Sequence, residues 1–233
     1  MEIAVLIPAR DEEALVERCL RSVSNAIASL PTAVHARTIL ISDSSVDRTE
    51  AIAARVLTAR DALLTTNAGA VGAARALAAA HAIQTARCPP QQLWLANTDA
   101  DCVVPPHWLR DQLALANQGM EAVAGIVTVD SFEEHEPQVP ARFRDTYLIR
   151  SDGTHPHVHG ANLGVRADRY LTAGGWADLP TAEDHDLWRR LHQTGARTCS
   201  SAKIVVATSG RRIGRAPQGF AGALAAHNLE ARI

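Results

Sequence analysis

Two carboxylates one residue apart, Asp99 and Asp101, follow the apolar run Leu93-Trp94-Leu95-Ala96. Val103, Val104, Pro105 and Pro106 come next, and the prolines bar a continuing helix. Acids clustered at the end of a buried strand repel each other, so a cation that meets them relieves the cost. Mg²⁺ or Mn²⁺ suits such a place: both are hard, take few protein carboxylates and complete their shells with water and substrate phosphate. The same D-x-D pair also fits a loop of solvated acids, so the rest of the chain has to decide. His155, His157 and His159 alternate, which in an extended segment puts them on one face. One imidazole there is able to join a transition-metal shell. The alternative is pocket or surface histidines, because no soft ligands converge with them.

The elements that must position these groups read as an alternation. Ile3 to Ile7 is a buried strand ended by Pro8, and Leu15, Cys19, Leu20, Val23 and Ile27 give the stretch 11–28 a helical stripe. A second strand, 37–41, runs into Ser42-Asp43-Ser44-Ser45, with Asp47 placed to cap a helix reaching about Leu57. A short strand at 62–65 and a turn at 67–70 lead into an Ala-rich helix that ends before Pro89-Pro90. The strand carrying Asp99 and Asp101 follows. Strands alternating with helices imply a parallel, Rossmann-like sheet sandwiched by helices. Ligands of such sheets bind beyond the carboxyl ends of the strands, where Asp43, Asn67, Asp99 and Asp101 all fall. The second half reads as a helix over 108–117, a strand over 122–129 with Gly125 allowing close approach, and a loop over 131–140. A helix containing Phe143, Tyr147 and Leu148 comes next, then an irregular loop over 151–160 and an extended stretch at 161–165. A helix opens at Glu183 and stops at Gly195. A strand over 203–207, a Gly- and Arg-containing loop over 209–219 and a short Ala-rich helix close the chain. The expected organisation is one domain over 1–233, with a nucleotide-binding half at 1–101 and an acceptor-facing half at 102–233.

Composition excludes several classes. The 233 residues are 47% hydrophobic and 21% charged, with formal net charge −2. That is ordinary globular composition without the basic excess of a general nucleic-acid binder or a polybasic membrane anchor. Cys19, Cys88, Cys102 and Cys199 are scattered and fit buried thiols in a reducing compartment. No signal-peptide pattern opens the chain, and no apolar stretch nears the roughly 18 residues of a membrane span. The expected location is cytoplasmic.

Five segments together resemble family 2 glycosyltransferases of the GT-A fold. Ile7-Pro8-Ala9-Arg10-Asp11-Glu12 is similar to their opening I-P-A-x-(N/D)-E. Ser42-Asp43-Ser44-Ser45-Val46-Asp47-Arg48-Thr49 is similar to D-D-G-S-x-D-x-T, with Ser42 in place of the first acid. Gly72-Ala73-Ala74-Arg75 resembles G-x-x-x-A-R, Asp99-Ala100-Asp101 resembles D-x-D, and Glu183-Asp184-His185-Asp186-Leu187 resembles E-D-x-D-L. The order and spacing agree over about residues 3–195.

The resemblance implies a metal-dependent, inverting transfer of a sugar from a UDP- or GDP-sugar to an acceptor hydroxyl. Pro8, Ala9, Arg10, Glu12, Asp43, Arg75, Asp99 and Ala100 would surround the nucleotide. Asp43 would accept from the base and Arg75 approach base or ribose. Arg10 stands where many relatives have an aromatic residue, and a guanidinium also stacks on a base. Asp101 would hold Mg²⁺ or Mn²⁺, and Asp184 would deprotonate the acceptor. Its place near a helix start also fits plain dipole stabilisation. Beside the resemblance, the Gly-containing loop itself offers Arg211, Arg212 and Arg215, one or more of which would clamp the diphosphate, as arginine forks suit phosphate, a solvated basic run being the alternative. Asn162 would reach the donor sugar. Glu183, His159 and Trp176 would face the acceptor, whereas Trp188 reads as core packing. Three competing readings are weighed. A nucleotidyltransferase is opposed by Pro8-Ala9-Arg10-Asp11 where a G-x-G-T-R loop would stand. A non-catalytic sugar-nucleotide module is opposed by intact Asp101 and Asp184. A Rossmann oxidoreductase lacks its G-x-G-x-x-G after the first strand.

Overall fold

The apolar runs become strands β1 (Glu2–Ala9), β2 (His35–Asp43), β3 (Ala62–Thr66), β4 (Leu93–Asn97), β5 (Ala122–Val129), β6 (Leu163–Arg166) and β7 (Thr198–Thr208) of a computed structural model. The structure describes residues 1–179, 181–215 and 219–228. Part of the loop expected over 209–219, residues 216–218, lies outside the described residues, as do 180 and 229–233. The strands form one seven-stranded sheet in the order β3-β2-β1-β4-β6-β5-β7. Pairing is parallel from β3 through β4, and β7 lies parallel to β5. Only β6 runs antiparallel, to both β4 and β5. The carboxyl ends of all the other strands, and the start of β6, therefore share one edge.

The helices are α1 (Val16–Ala28), α2 (Thr49–Val56), α3 (Val71–Thr85), α4 (Trp108–Asn117), α5 (Val139–Thr146), α6 (Ala167–Thr172), α7 (Glu183–Gln193) and α8 (Phe220–Ala226). The period-two alternation of a strand decides which face each covers. Ile3, Val5 and Ile7 of β1 pack with Val16, Leu20 and Val23 of α1 and with Trp94 and Trp108. Ala4 and Leu6 face the other way, onto Ala74, Ala78 and Ala82 of α3 and Leu187 and Leu191 of α7. The alanine run of α3 is thus a packing surface, its small side chains letting the helix lie close to the sheet. Truncating a side chain as buried as Leu6 costs about 2–5 kcal/mol.

Several boundaries differ from the sequence reading. α1 begins at Val16, not Asp11, because Asp11 takes a left-handed φ of 51°. The segment after it is tied to the β2–α2 loop: Glu12 N–H donates to Thr49 Oγ1 at 2.7 Å and Glu13 N–H to Asp47 Oδ2 at 2.9 Å. Asp47 also accepts the Thr49 N–H at 2.9 Å. α5 starts inside the expected loop, with Pro140 in its first turn, where the missing N–H costs nothing. It ends before Tyr147. Gly125 lies against the Asn162 amide, and a Cβ there would sit 2.5 Å from the Ile204 carbonyl oxygen.

Candidate active site

The carboxyl edge holds two hollows that share a wall. The first, of about 590 Å³, opens where the chain leaves β1 for β2 on one side and β4 on the other. This is the topological switch point at which open α/β sheets bind ligands. Pro8, Ala9, Arg10, Glu12, Asp43, Asp99, Ala100 and Asp101 all line it, with Arg211 and Arg215 from the loop after β7. The N-terminal residues of α3, Ala70 and Val71, complete its floor, and a helix start favours an anion. The second hollow, of about 400 Å³, is lined by Arg75, His159, Gly160, Glu183, Asp184 and His185 among others. Val71, Asp99, Thr208, Gly219 and Phe220 border both.

Asp43 ends β2 with 5% of its surface exposed. Its Oδ1 accepts the Gly69 N–H at 3.0 Å, which fixes the carboxylate at the rim. Asp99 and Asp101 sit on a tight turn closed by the Cys102 N–H onto the Asp99 carbonyl at 3.0 Å. The buried Cys19 thiol donates to the same carbonyl at 3.3 Å, and Arg18 donates to the Asp101 carbonyl at 3.2 Å. The turn is therefore held from beneath by α1.

Charge in the first hollow is unevenly matched. Burial, then the neighbouring Asp99, push the Asp101 carboxyl up to about 6 against the pull of Arg211. Arg211 bridges Glu12, at 2.9 and 2.7 Å, and Asp101, at 2.8 Å. Arg215 lines the hollow but donates to the Asp11 carbonyl at 2.6 Å. Arg212 is exposed, lines neither hollow and offers its N–H to Glu134 at 2.9 Å. Among the described residues no three His, Cys, Asp or Glu side chains converge as a metal cage. The donor set fits Mg²⁺ or Mn²⁺ all the same, since these ions use one or two carboxylates with water and phosphate oxygens.

Arg75 does something other than reach a base. It is 3% exposed and forms ion pairs with Asp99, at 2.5 Å, and with Glu183. Burial opposes its charge, but Asp99, Glu183 and Asp184 outweigh this and raise its pKa. Trp176, 6% exposed and lining neither hollow, lies with its ring centroid 5.2 Å from the guanidinium. Its role is a cation–π contact with Arg75, not acceptor stacking. Gly160 is pressed on the same group: a Cβ there would come within 2.5 Å of the guanidinium carbon. Glu183 is buried, and burial raises its pKa against the pull of Arg75.

Asp184 sits in the first turn of α7 at the second hollow, and Ala182, just before the helix, has a left-handed φ of 59°. Its Oδ2 accepts the Gly160 N–H and its Oδ1 the His185 N–H, both at 2.8 Å. His159 lines the same hollow. The Val127 N–H donates to the Tyr147 hydroxyl at 3.0 Å, and that hydroxyl lies 2.8 Å from His159 Nε2. Burial is the main cause that lowers the His159 pKa to about 4. His159 is thus a neutral imidazole at pH 7. His157 stacks on Tyr147 at 4.0 Å.

Asn162 corrects the sequence reading. It is 1% exposed, its Oδ1 accepts from the Trp108 indole at 2.9 Å, and its Nδ2 donates to the Ile126 and Ile204 carbonyls. Both amide protons and the oxygen are engaged in joining β5, β7 and α4, and the side chain lines neither hollow, so it is not placed to meet a donor sugar. Trp188 is half-buried against the core of that face. Sequence reasoning missed Gly160, Tyr147, Cys19, Thr208 and Phe220. A glycine directly before Ala161-Asn162 was the one visible signal, since glycine marks close backbone approach.

Comparisons with known proteins follow the geometry. No curated protein sequence matches the chain. The crystal structure of S. aureus TarS 1–349 in complex with UDP-GlcNAc superposes with a TM-score of 0.69 at 14% identity, over 100% of this chain and 68% of that one. The crystal structure of S. aureus TarS 1–349 gives 0.66 at 14% identity, over 90% of this chain and 61% of that one. The mannosyltransferase PcManGT from Pyrobaculum calidifontis, in complex with GDP-Man and Mn²⁺, gives 0.66 at 18% identity, over 97% and 61%. The chain thus spans about three fifths of the length of several structures it resembles. These likenesses establish the GT-A fold. The model of the family described as Glycosyl transferase family 2 matches residues 4–170, and on that match, which takes in β1 through β6 and four of the five motif segments, the chain belongs to glycosyl transferase family 2.

Proposed function

We propose that the protein transfers a sugar from a nucleoside-diphosphate sugar to an acceptor hydroxyl in a single displacement that inverts the anomeric carbon. One observation carries this reading. The hollow holding Asp101 and the hollow holding Asp184 are contiguous, and Asp99 stands in the wall between them. A donor lying in the first would present its sugar to an acceptor lying in the second. Support comes from the neighbours' ligands, UDP-GlcNAc and GDP-Man with Mn²⁺.

In this reading Asp43 accepts from the base, Arg10 covers it, and the start of α3 faces the negative charge of the donor. Asp101, with Glu12 near it, holds Mg²⁺ or Mn²⁺. When bound, that ion acts as a Lewis acid that neutralises charge on the departing diphosphate. Asp99 lies where it would accept from donor hydroxyls, and its ion pair with Arg75 fixes it. Asp184 takes the acceptor proton from the side opposite the leaving group, oriented by the Gly160 and His185 N–H groups. Each of its oxygens keeps a lone pair for that proton. His159, neutral at pH 7, borders the acceptor without adding charge.

The test is direct. A panel of UDP- and GDP-sugars is incubated with the protein, Mn²⁺ and simple sugar alcohols, and product configuration is read by NMR. Turnover with inverted product supports the reading; retained configuration removes Asp184 as the base of a single displacement.

A further inference from the structure

Arg211 stands where the donor-binding reading needs a divalent cation. Its Nη2 lies 2.8 Å from Asp101 Oδ2 and 2.7 Å from a Glu12 carboxylate oxygen, and its Nη1 lies 2.9 Å from the other Glu12 oxygen. Glu12 and Asp101 are both largely buried, with side chains 6% and 13% exposed. Without a cation between them they would repel in a site of low dielectric. Asp99 cannot be spared the same problem by Arg211, because Arg75 already holds it. The backbone beside Arg211 is anchored: the Gly210 N–H donates to Asp130 at 3.0 Å, and the Gly210 carbonyl meets His135 Nε2 at 2.7 Å. A Cβ on Gly210 would run into the Ser131 carbonyl. The side chain is therefore delivered to the acids from a fixed base and moves by its own rotamers.

We propose that Arg211 is the resident counter-cation of the Glu12–Asp101 pair, which a divalent ion must displace, and that the released guanidinium then turns to the donor diphosphate. A guanidinium nitrogen and a metal ion cannot share the same Asp101 oxygen lobe, since a hard divalent ion sits about 2.0–2.1 Å from its carboxylate ligand. The arginine fork is equally suited to carboxylate and to phosphate, so one side chain serves both states. Metal and diphosphate binding become coupled: the ion frees the arginine, and the arginine strengthens the hold on the diphosphate. The inference rests on the proposed nucleoside-diphosphate site.

Titration with Mn²⁺ alone, followed by the loss of the free-ion EPR signal, tests it in the full chain. Thermal unfolding of each variant is recorded alongside. Arg211→Gln is expected to bind Mn²⁺ at least about tenfold more tightly than wild type, because a competing charge is gone. Arg211→Lys is expected to stay near wild type, and Asp101→Asn to bind no specific ion. Adding UDP is expected to tighten Mn²⁺ binding more in wild type than in Arg211→Gln, as linkage requires. Equal Mn²⁺ affinity of wild type and Arg211→Gln, with Asp101→Asn still defective, overturns the competition while leaving the metal site standing. Absence of Asp101-dependent Mn²⁺ binding in every variant overturns both.

Discussion

At Asp184 two backbone N–H groups fix a carboxylate that has no salt-bridge partner among the described residues, whereas Glu183 beside it is held by Arg75. That difference divides the labour of the Glu-Asp pair. Asp184→Asn keeps the shape and one of the two N–H contacts but cannot act as a base. The expected outcome is a fall in kcat of about 10²–10⁴-fold with donor affinity retained, by steady-state kinetics and calorimetry. Arg75 has a different kind of importance. Removing it strands Glu183, which is buried, and releases Asp99. Arg75→Ala is expected to lower stability by about 3–5 kcal/mol in a urea titration, because an uncompensated buried charge remains. The double variant Arg75→Ala/Glu183→Gln is expected to recover part of that loss, since the stranded charge is gone. The places of Asp184 and Asp101 at the two hollows could be read from five short motifs, but Arg75's pairing could not. Its partner Glu183 is 108 residues away, and no local pattern says which acid a buried arginine will meet.

At the scale of elements, the loop before β6 brings His155, His157 and His159 beside Tyr147 in a run of near-parallel rings. Burial lowers the pKa of all three imidazoles, His159 to about 4. The unfolded chain takes up their protons near 6.5, and the folded chain does so only at lower pH. Between about 4 and 6.5 the unfolded state therefore binds more protons, so stability falls as pH falls through that window. Asp101, pushed up to about 6, acts in the opposite sense, which is why a comparison with a variant is needed. His159→Gln is expected to show a shallower loss of melting temperature between pH 7 and 5 than wild type. An identical slope would place His159 outside that balance.

Elements differ in how far the sequence announces them. β1, β2 and β4 are apolar runs closed by polar residues, and their parallel order follows from the helices between them. The direction of β6 does not: its four residues, Leu163 to Arg166, pair antiparallel with β4 and β5, and four residues carry no record of orientation. α6 passed unnoticed because six residues are too few for a helical stripe. The late start of α1 was hidden too. Its first apolar positions keep helical spacing, while long-range bonds from Asp47 and Thr49 hold residues 11–13 in another shape.

Over the whole molecule, the two halves contribute to one sheet, and the reversal of strand order at β1 and β4 opens the donor hollow. No helix among the described residues is long and apolar enough to cross a membrane. The central claim is that the edge beyond β1, β2 and β4 binds a nucleoside diphosphate through an ion on Asp101. Calorimetric titration of UDP and GDP into wild type and Asp101→Asn, with and without Mn²⁺, tests it most directly. The account predicts one nucleotide per chain, a dependence on Mn²⁺ in wild type, and an affinity at least about tenfold weaker in Asp101→Asn, a loss of about 1.4 kcal/mol or more. Equal, Mn²⁺-independent binding by both proteins, or no binding of either nucleotide, would contradict it.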